Sequence, residues 1–334
     1  MAIASSVPHG IMPQPMRPVP FLDADAIRAG VPIADMLDAV EAAYQDVASG
    51  RDRSPLRSRV ELPNGDLLLM PGVRDGAAGA SVKLVTVTPA NASRGLPTIH
   101  ALVVWFDADS GRPLALIDGE TLTAMRTGAA SAVATRLLSR GDAATVAIIG
   151  AGGQAEWQLR AVLAARPIRR ALVFARDPSA REAFAARMAD ATGIDVHAVP
   201  TAEAAVREAD VICCSTTSSE PVFDAAWVGP GAHVNGIGAY RLGMVEMPPE
   251  VMARAEVVAV DSREAAMAEA GDVVAAVERG LVSEDDLVEV GSIGRDWVGT
   301  RPVDAITVFK SVGLAIQDVA AAELITARLL GDRP

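Results

Sequence analysis

Three basic residues, Arg57, Lys83 and Arg126, stand among apolar neighbours, each near the end of a predicted strand or helix. Cations in such surroundings could bind a small carboxylate, because a buried anion has to be paired and hydrogen-bonded. The whole chain carries a formal net charge of −12, so an anionic ligand depends on local positive charge. A solvated surface cation is the alternative interpretation of each residue, and spacing alone leaves both open.

Lysine is rare in this chain, since it occurs only at Lys83 and Lys310. Lysine and arginine together occupy 30 positions, and all the others are arginine. Lysine presents a compact ammonium, whereas arginine presents a planar guanidinium that stays charged. This usage suggests that the two lysines stand where an ammonium is required, although two residues can also be accidents of composition.

A glycine turn, Gly150-Ala151-Gly152-Gly153-Gln154-Ala155, follows the apolar run 145–149 and leads into a helical pattern. In a dinucleotide-binding unit the first glycine permits a tight turn, and the second lets the backbone approach a pyrophosphate. A small third residue, here Ala155, lets helix and strand pack closely. The sequence therefore predicts a Rossmann unit, with a tight turn in another kind of α/β protein as the alternative.

The second strand of such a unit ends at the cofactor ribose, where a carboxylate selects NAD by binding the 2′-hydroxyl. Here the expected position of the acid holds Ala175, and Arg176 follows it. Arg176 suits a 2′-phosphate, so the sequence favours NADP(H) over NAD(H). If the strand runs one or two residues further, Asp177 becomes the selector and the preference reverses.

Length and composition indicate a globular protein of two domains. The chain has 334 residues, of which 50% are hydrophobic and 22% charged. Its negative charge argues against nucleic acid or an anionic membrane surface as the main partner. No apolar run is long enough to span a bilayer, the start lacks a signal-peptide plan, and no metal-ligand spacing is present. Cys213 and Cys214 are expected to be buried thiols on opposite faces of a strand, and a cytoplasmic enzyme is the default expectation.

The first part of the chain has the pattern of an antiparallel sheet, and the second part alternates strands with helices. A helix at about 33–47 is followed by strand-like runs at 57–62, 67–70, 80–86, 99–106 and 113–117, whose short turns are typical of antiparallel pairing. After a helix at 121–139, which Thr121 or Thr123 is expected to cap, strands are predicted at 145–149, 171–175, 196–199, 210–215, 232–237 and 257–260. A last helix at 311–330 is expected to return to the first domain. The predicted fold class is α/β, with a Rossmann doubly wound parallel sheet (126–310) and a mostly antiparallel α+β domain (1–125 with 311–334).

Several segments of the chain carry a resemblance to a known family. They are Val82-Lys83-Leu84, Pro89-Ala90-Asn91, Gly95-Leu96-Pro97, Gly111-Arg112-Pro113-Leu114-Ala115-Leu116-Ile117-Asp118-Gly119, Leu122-Thr123-Ala124-Met125-Arg126-Thr127-Gly128-Ala129-Ala130-Ser131 and Phe309-Lys310-Ser311-Val312-Gly313-Leu314-Ala315-Ile316-Gln317-Asp318. Together they resemble the ornithine cyclodeaminase/mu-crystallin family, over almost the whole chain from about residue 54. Its members include cyclodeaminases, alanine dehydrogenase and ketimine reductases, and share a two-domain dimer. The resemblance implies a homodimer in which the first domain binds substrate and carries the dimer contacts.

The resemblance also implies roles for individual residues. Arg57, Lys83 and Arg126 would bind the substrate carboxylate, with Lys83 also near the reacting nitrogen and Arg59 as a less favoured occupant of the first role. Together with Arg176, the expected cofactor-binding residues are Gly150, Gly152, Gly153, Gln154, Ala155, Thr216, Thr217, Gly238, Lys310 and Gly313. Glu269, Asp272 and Asp318 are interpreted first as helix caps or ion pairs.

The chain departs from the family pattern at Tyr240. At this position the cyclodeaminases of the family, and some of its alanine dehydrogenases, have an aspartate. In the cyclodeaminases that aspartate is thought to act on the amino group. Its replacement favours a ketimine reductase, which transfers one hydride to an imine that is already cyclic. The expected reaction is NADPH-dependent reduction of pyrroline-2-carboxylate or piperideine-2-carboxylate to the cyclic amino acid, a step of proline metabolism. Lys83, Tyr240 or water would donate the proton.

Three alternative functions stay open from the sequence. They are an ornithine or lysine cyclodeaminase that uses NAD, an alanine-type amino acid dehydrogenase, and a non-catalytic crystallin-like protein that binds a nucleotide or ligand. The presence of Lys83 and Arg126 argues against a non-catalytic protein without excluding it.

Overall fold

The computed structural model describes residues 18–294 and 302–331, which form two sheets with helices packed on them. The segment 1–17, to which the signal-peptide prediction refers, lies outside the described residues. Within the described ranges, no helix is both long and apolar enough to cross a membrane.

The first sheet has six strands, most of them paired antiparallel. The strands are β1 (Phe21–Leu22), β2 (Ser58–Leu62), β3 (Gly65–Gly72), β4 (Gly79–Val87), β5 (Ile99–Asp107) and β6 (Pro113–Asp118). They lie in the order β1-β6-β5-β4-β3-β2, with β1 parallel to β6 and the other pairs antiparallel. The predicted mostly antiparallel sheet is confirmed.

One face of this sheet is covered by helices and the other is left partly exposed. Side chains alternate between the faces along a strand, and in β4 Ser81, Lys83 and Val85 are buried while Val82 and Leu84 are only partly covered. The helices of this domain are α1 (Ala24–Gly30), α2 (Ile33–Ala48), α3 (Gly119–Leu138) and the last helix, α10 (Ala315–Leu330). Helices α3 and α10 contact the buried face, and α1 and α2 pack against them. Lys83 therefore points into the helix-covered interior.

The second sheet is parallel throughout its eight strands. They are β7 (Thr145–Ile149), β8 (Arg170–Phe174), β9 (Asp195–Ala198), β10 (Val211–Cys214), β11 (His233–Gly236), β12 (Ala255–Val260), β13 (Leu287–Glu289) and β14 (Ile306–Lys310), in the order β13-β12-β14-β11-β10-β7-β8-β9. The intervening helices are α4 (Gly153–Ala165), α5 (Pro178–Thr192), α6 (Ala202–Val206), α7 (Glu250–Ala253), α8 (Arg263–Glu269) and α9 (Gly271–Glu278). Since β7 lies between β8 and β10, the strand order reverses there, and the carboxyl ends of these strands are the expected ligand crevice.

Buried side chains cover both faces of the parallel sheet. Cys213 belongs to the cluster that contains α4 and α5, and Cys214 to the cluster on the opposite face. Both thiols are free and have 0% relative exposure. The predicted strand with buried cysteines on opposite faces is confirmed.

Helix α3 connects the two domains. It packs against α2 on one side and α4 on the other. A Cβ added to Gly128 would lie 2.4 Å from the Trp157 carbonyl oxygen, so glycine permits the close approach of α3 and α4. The boundary predicted between residues 125 and 126 falls inside this helix. The predicted caps were wrong, because Asp118 accepts the Thr121 N–H at 2.8 Å and the helix begins two residues earlier.

Candidate active site

Lys83 and Arg126 meet on the carboxylate of Asp318. Lys83 extends from β4, Arg126 from α3 and Asp318 from the first turn of α10. The Lys83 Nζ lies 2.8 Å from Asp318 Oδ2 and 3.0 Å from Oδ1, and the Arg126 Nε donates to Oδ1 at 3.0 Å. Relative exposure is 1% for Lys83, 4% for Arg126 and 0% for Asp318. The three charges form a buried group between the first sheet and its helices.

Arg57 approaches the same region from the segment before β2. Its Nη2 donates to the carbonyl oxygens of Val312 at 2.7 Å and Gly313 at 2.6 Å, and lies 2.9 Å from Glu269 Oε2. Because Glu269 ends α8, Arg57 links the two domains. Arg59, the less favoured candidate, is instead paired with Asp66 at 2.7 Å, and its side chain is 55% exposed.

Gly313 allows Arg126 to reach this position. Its φ is +84°, a conformation open to glycine, and an added Cβ would lie 2.6 Å from Arg126 Nη1. Asp261, which follows β12, accepts the N–H groups of Val312 and Gly313 at 2.9 and 2.8 Å. Gln317 accepts a hydrogen bond from Arg126 Nη1 at 3.1 Å. The predicted cations Arg57 and Arg126 thus both approach Gly313, in the connection between β14 and α10.

The surroundings of Lys83 weaken its hold on a proton. Burial lowers the pKa of Lys83 from 10.5 to about 7; the charges of Arg126 and Arg57 also lower it, while ionised Asp318 acts in the opposite direction. An amine that titrates near neutral pH can take part in proton transfer. In the direct contacts the three cations Arg57, Lys83 and Arg126 meet the two carboxylates of Asp318 and Glu269.

The glycine turn after β7 leaves open space beside the start of α4. Gly150 has a φ of +107°, and its added Cβ would lie 2.9 Å from the Ser215 carbonyl oxygen. Nothing lies within 4 Å of the positions that a Cβ would take on Gly152 or Gly153. Gly152 is the N-cap of α4 and provides no side-chain cap, so the first N–H groups of the helix stay available. The buried Gln154 Oε1 has no hydrogen-bond partner in the described part of the chain, which leaves it open to a donor from a ligand.

The end of β8 leaves Arg176 exposed and uses Asp177 in a helix cap. The strand ends just before Ala175, and Arg176 follows in solvent. Asp177 is the N-cap of α5, and its Oδ1 accepts the Ser179 N–H at 2.9 Å. Arg181 donates to the Ala175 carbonyl at 3.1 Å, which places a second guanidinium beside the strand end. β8 therefore ends before Ala175 and does not extend to Asp177, as the NAD(H) alternative would require.

A second buried charge group lies behind the loops that follow β10 and β11. Glu246 accepts the N–H of Thr216 at 2.8 Å, the Thr216 hydroxyl at 3.1 Å and the N–H of Gly238 at 2.6 Å. The Lys310 Nζ lies 2.7 Å from Asp272 Oδ2 and 3.8 Å from Glu246 Oε1, and these three side chains have 0% exposure. The ammonium of Lys310 thus faces carboxylates inside the domain. From the sequence we had instead expected it to bind the cofactor. It can act on the predicted cofactor edge through Glu246.

Tyr240 lies between the two domains. It follows β11 in the second domain and packs against Leu68, Val85 and Val87 of the first sheet. Burial raises the pKa of its phenol, so the group is neutral at pH 7. Thr217, also predicted at the cofactor edge, is exposed after β10.

Sequence reasoning left Asp318, Glu246 and Asp261 out of the predicted site. The ion pairs expected for Asp318, Asp272 and Glu269 are confirmed, with Lys83, Lys310 and Arg57 respectively among their partners. Asp318 had a recognisable signal, because it lies in the same segment as Gly313, in the first turn of the helix that follows. Glu246 and Asp261 bind backbone N–H groups, which leave no spacing pattern in a sequence.

Known proteins share this architecture over nearly the whole chain. The family model described as ornithine cyclodeaminase/mu-crystallin matches residues 20–333. The chain is 36% identical over 308 residues to a Delta(1)-pyrroline-2-carboxylate reductase of Bacillus cereus, covering 91% of this chain and 94% of that protein. The Thermococcus litoralis Delta(1)-pyrroline-2-carboxylate reductase, solved with NADH and L-proline, has a TM-score of 0.88 at 34% identity, covering 93% of this chain and 98% of that one. An archaeal alanine dehydrogenase dimer with bound NAD gives 0.84 at 32% identity, covering 93% and 96%. The chain therefore belongs to the ornithine cyclodeaminase/mu-crystallin family.

Proposed function

We propose that this protein reduces a small cyclic imino acid, pyrroline-2-carboxylate or piperideine-2-carboxylate, with NADPH as the preferred cofactor. The observation that carries the proposal is the convergence of Arg57, Lys83 and Arg126, from three distant parts of the chain, on Asp318 and on the Val312–Gly313 segment. Guanidinium groups bind carboxylates with strong, directional hydrogen bonds, so two arginines beside Lys83 suit the carboxylate of the substrate. The similarity to pyrroline-2-carboxylate reductases supports the same substrate class.

The charge group is close to the edge where a dinucleotide would bind. Gly150 follows β7, Gly238 follows β11 and Gly313 follows β14, so these turns share the carboxyl edge of the parallel sheet. The uncapped start of α4 and the open space at Gly152 fit a pyrophosphate, and Thr217 would lie along the cofactor. When bound, the reduced nicotinamide supplies a hydride to the imine carbon. The residues of the chain hold the substrate by its carboxylate and align its ring, which accounts for much of the expected rate.

The environment of β8 supports NADPH over NADH. The Asp177 carboxylate accepts from the Ser179 N–H, so it is already engaged in capping α5. Arg176 is exposed directly after the strand, and Arg181 lies beside Ala175. A 2′-phosphate could pair with these guanidinium groups, whereas a 2′-hydroxyl meets no carboxylate in this position.

Tyr240 supports a reductase over a cyclodeaminase. A cyclodeaminase needs acid/base chemistry on an amino group, for which the resemblance expects an aspartate at this position. The neutral phenol, packed on Leu68 and Val85, offers no carboxylate. An imine that is already cyclic needs only a hydride and a proton. An alanine-type dehydrogenase is the second candidate, favoured by the similarity to the archaeal alanine dehydrogenase.

Following NADPH and NADH consumption separately with each cyclic imino acid tests the proposal. Ornithine, lysine and alanine are offered with NAD⁺ in parallel, and ammonia release is measured. We expect turnover of at least one imino acid, faster with NADPH. Turnover of ornithine or lysine with ammonia release and no imine reduction would establish a cyclodeaminase instead, and alanine oxidation alone would establish an alanine dehydrogenase. Cofactor binding without any turnover would support the crystallin-like alternative.

We also propose that the protein is a homodimer formed through the partly exposed face of the first sheet. A row of apolar side chains crosses four strands there: Phe21, Leu116, Val104 and Val82 are consecutive cross-strand partners, and none is buried. Phe21 is 57% exposed. Contiguous apolar surface of this kind marks protein interfaces, and the archaeal alanine dehydrogenase is described as a dimer.

A further inference from the structure

We propose that Lys83 donates the proton to the imine nitrogen and that Asp318 is the positioning residue that holds the ammonium for this step. The inference rests on the proposed function, and deepens it by selecting the proton donor from among Lys83, Tyr240 and water. It also gives Asp318 a role in the reaction, whereas its carboxylate would otherwise be only a structural counterion.

The hydrogen bonding of Lys83 leaves a donor for the substrate. An ammonium group has three N–H bonds. Over residues 18–294 and 302–331, Asp318 provides the only acceptor oxygens in contact with Nζ, at 2.8 and 3.0 Å. These two oxygens can engage at most two of the N–H bonds, so at least one is left without an acceptor in a side chain that is 1% exposed. The imine nitrogen of a bound substrate would supply that acceptor.

The cations differ in their ability to release a proton. Arg57 and Arg126 carry guanidinium groups that stay charged and suit a carboxylate, whereas the Lys83 amine exists in both protonation states. Arginine fills every other basic position of the chain except Lys310, so lysine at position 83 is a departure from the chain's own preference. An arginine there could pair with Asp318 but could not act as the acid.

The groups around Lys83 determine when it holds its proton. Arg126 faces it from α3, Arg57 acts from the segment before β2, and Asp318 pairs with it from α10. Burial and the two guanidinium groups lower the pKa of Lys83 to about 7, and Asp318 limits this decrease. Below about pH 7 Lys83 is protonated and can donate the proton. As the pH rises through this value, Lys83 loses its proton and can no longer act as the acid. The value of kcat/KM should therefore fall on the alkaline side with this midpoint.

The proton transfer balances with the hydride transfer. The Nζ–H bond breaks, and the lone pair of the imine nitrogen forms a new N–H bond, which leaves Lys83 neutral beside ionised Asp318. Addition of the hydride to the neighbouring carbon then returns the C=N π pair to the nitrogen. The product is the cyclic secondary amine, and Lys83 regains a proton from solvent before the next turnover.

The two-lysine composition allows a direct test by NMR. Protein made with lysine labelled with ¹³C at the ε carbon gives signals from Lys83 and Lys310 only. Titrating the full-length protein, and comparing it with Lys83→Arg to assign the signals, should show Lys83 changing near pH 7. The alkaline limb of kcat/KM should have the same midpoint. The signal of Lys310 serves as an internal control for the fold.

Replacing Asp318 tests its role separately. In Asp318→Asn the Lys83 midpoint and the alkaline limb should both move to lower pH, by about 1–3 units, while Asp318→Glu should restore them towards the wild-type value. Tyr240→Phe should leave the midpoint in place. The proposal is overturned if Lys83 stays charged above pH 9 while the rate falls near 7, if Asp318→Asn changes neither midpoint, or if Tyr240→Phe removes the limb. If Asp318→Asn does not fold, as its thermal unfolding curve would reveal, the wild-type and Asp318→Glu titrations decide.

Failure of the proposed function has a different signature. Wild-type protein that reduces neither cyclic imino acid contradicts the function, whatever the titration shows. Imine reduction with an unshifted Lys83 contradicts only the assignment of the proton donor.

Discussion

Arg176 and Asp177 are neighbours in sequence with different surroundings, and this difference decides the predicted cofactor preference. Replacing Arg176 with alanine should weaken NADPH binding by about 10–100-fold, the usual cost of losing a hydrogen bond to a charged group. NADH binding should change by less than about threefold, because it has no 2′-phosphate to lose the contact. Dissociation constants of both cofactors, measured by fluorescence titration, check the prediction.

Arg187→Ala provides the matched control. Arg187 lies on α5, the helix that follows Arg176, and its guanidinium stacks 5.2 Å from the centre of the Phe184 ring. It should leave the NADPH-to-NADH ratio unchanged. Equal losses of both cofactors in Arg176→Ala would show that the arginine does not meet the phosphate.

The individual residues of the site could be predicted better than their partners. Lys83 and Arg126 stand out as basic residues among apolar neighbours, a local property of the sequence. Asp318 is 235 residues away from Lys83, and only the folded chain brings them together. The direction of Lys310 could not be predicted for the same reason, since Asp272 and Glu246 attract its ammonium from distant parts of the chain.

At the scale of elements, the connection between β14 and α10 is the feature most exposed to substitution. Gly313→Ala should raise the KM of the imino acid at least tenfold, because the added Cβ would lie 2.6 Å from Arg126 Nη1 and displace it. It should also lower stability by about 1–2 kcal/mol, the cost of a left-handed conformation in a residue with a Cβ. Steady-state kinetics and thermal unfolding measure the two effects.

Gly280→Ala separates backbone strain from displacement of Arg126. Gly280 has a φ of +66°, and nothing lies within 4 Å of its added Cβ. This variant should lose a similar amount of stability and keep the KM of the wild type. A normal KM in Gly313→Ala would mean that Arg126 does not bind the substrate.

Most elements could be predicted because their patterns are local. The strands from β2 to β12 and the helix α2 were all found within a few residues, from alternation and from the spacing of apolar positions. The strands β1, β13 and β14 are absent from the predicted set. β1 has two residues and β13 three, too few for an alternation. β14, with the sequence Ile-Thr-Val-Phe-Lys, has the β-branched and aromatic residues of a strand, so the prediction was wrong to omit it. Its place between β11 and β12 is a position that no local pattern can indicate.

At the scale of the whole molecule, the partly exposed face of the first sheet should determine the oligomeric state. Val104→Glu should weaken the proposed dimer by more than about 100-fold, because an unpaired charge buried in an interface costs several kcal/mol. Analytical ultracentrifugation should find two chains per particle in the wild type and one in the variant.

Val303→Glu is the control for the added charge. Val303 is 73% exposed and lies in the second domain, so this variant should sediment like the wild type. A wild-type protein that is monomeric at micromolar concentration would contradict the proposed interface.

The burial of both lysines has a consequence for how the folded protein meets reagents. Lys83 is 1% exposed and Lys310 is 0% exposed, and this sequence contains no other lysine. Succinimidyl esters and aldehyde cross-linkers, which attack unprotonated amines at the surface, should therefore leave Lys310 untouched while the fold is closed, whereas Lys83 can meet only a reagent that enters the proposed substrate site. Acylation at position 310 would then time the opening of the second domain, and acylation at position 83 would report access to the substrate site.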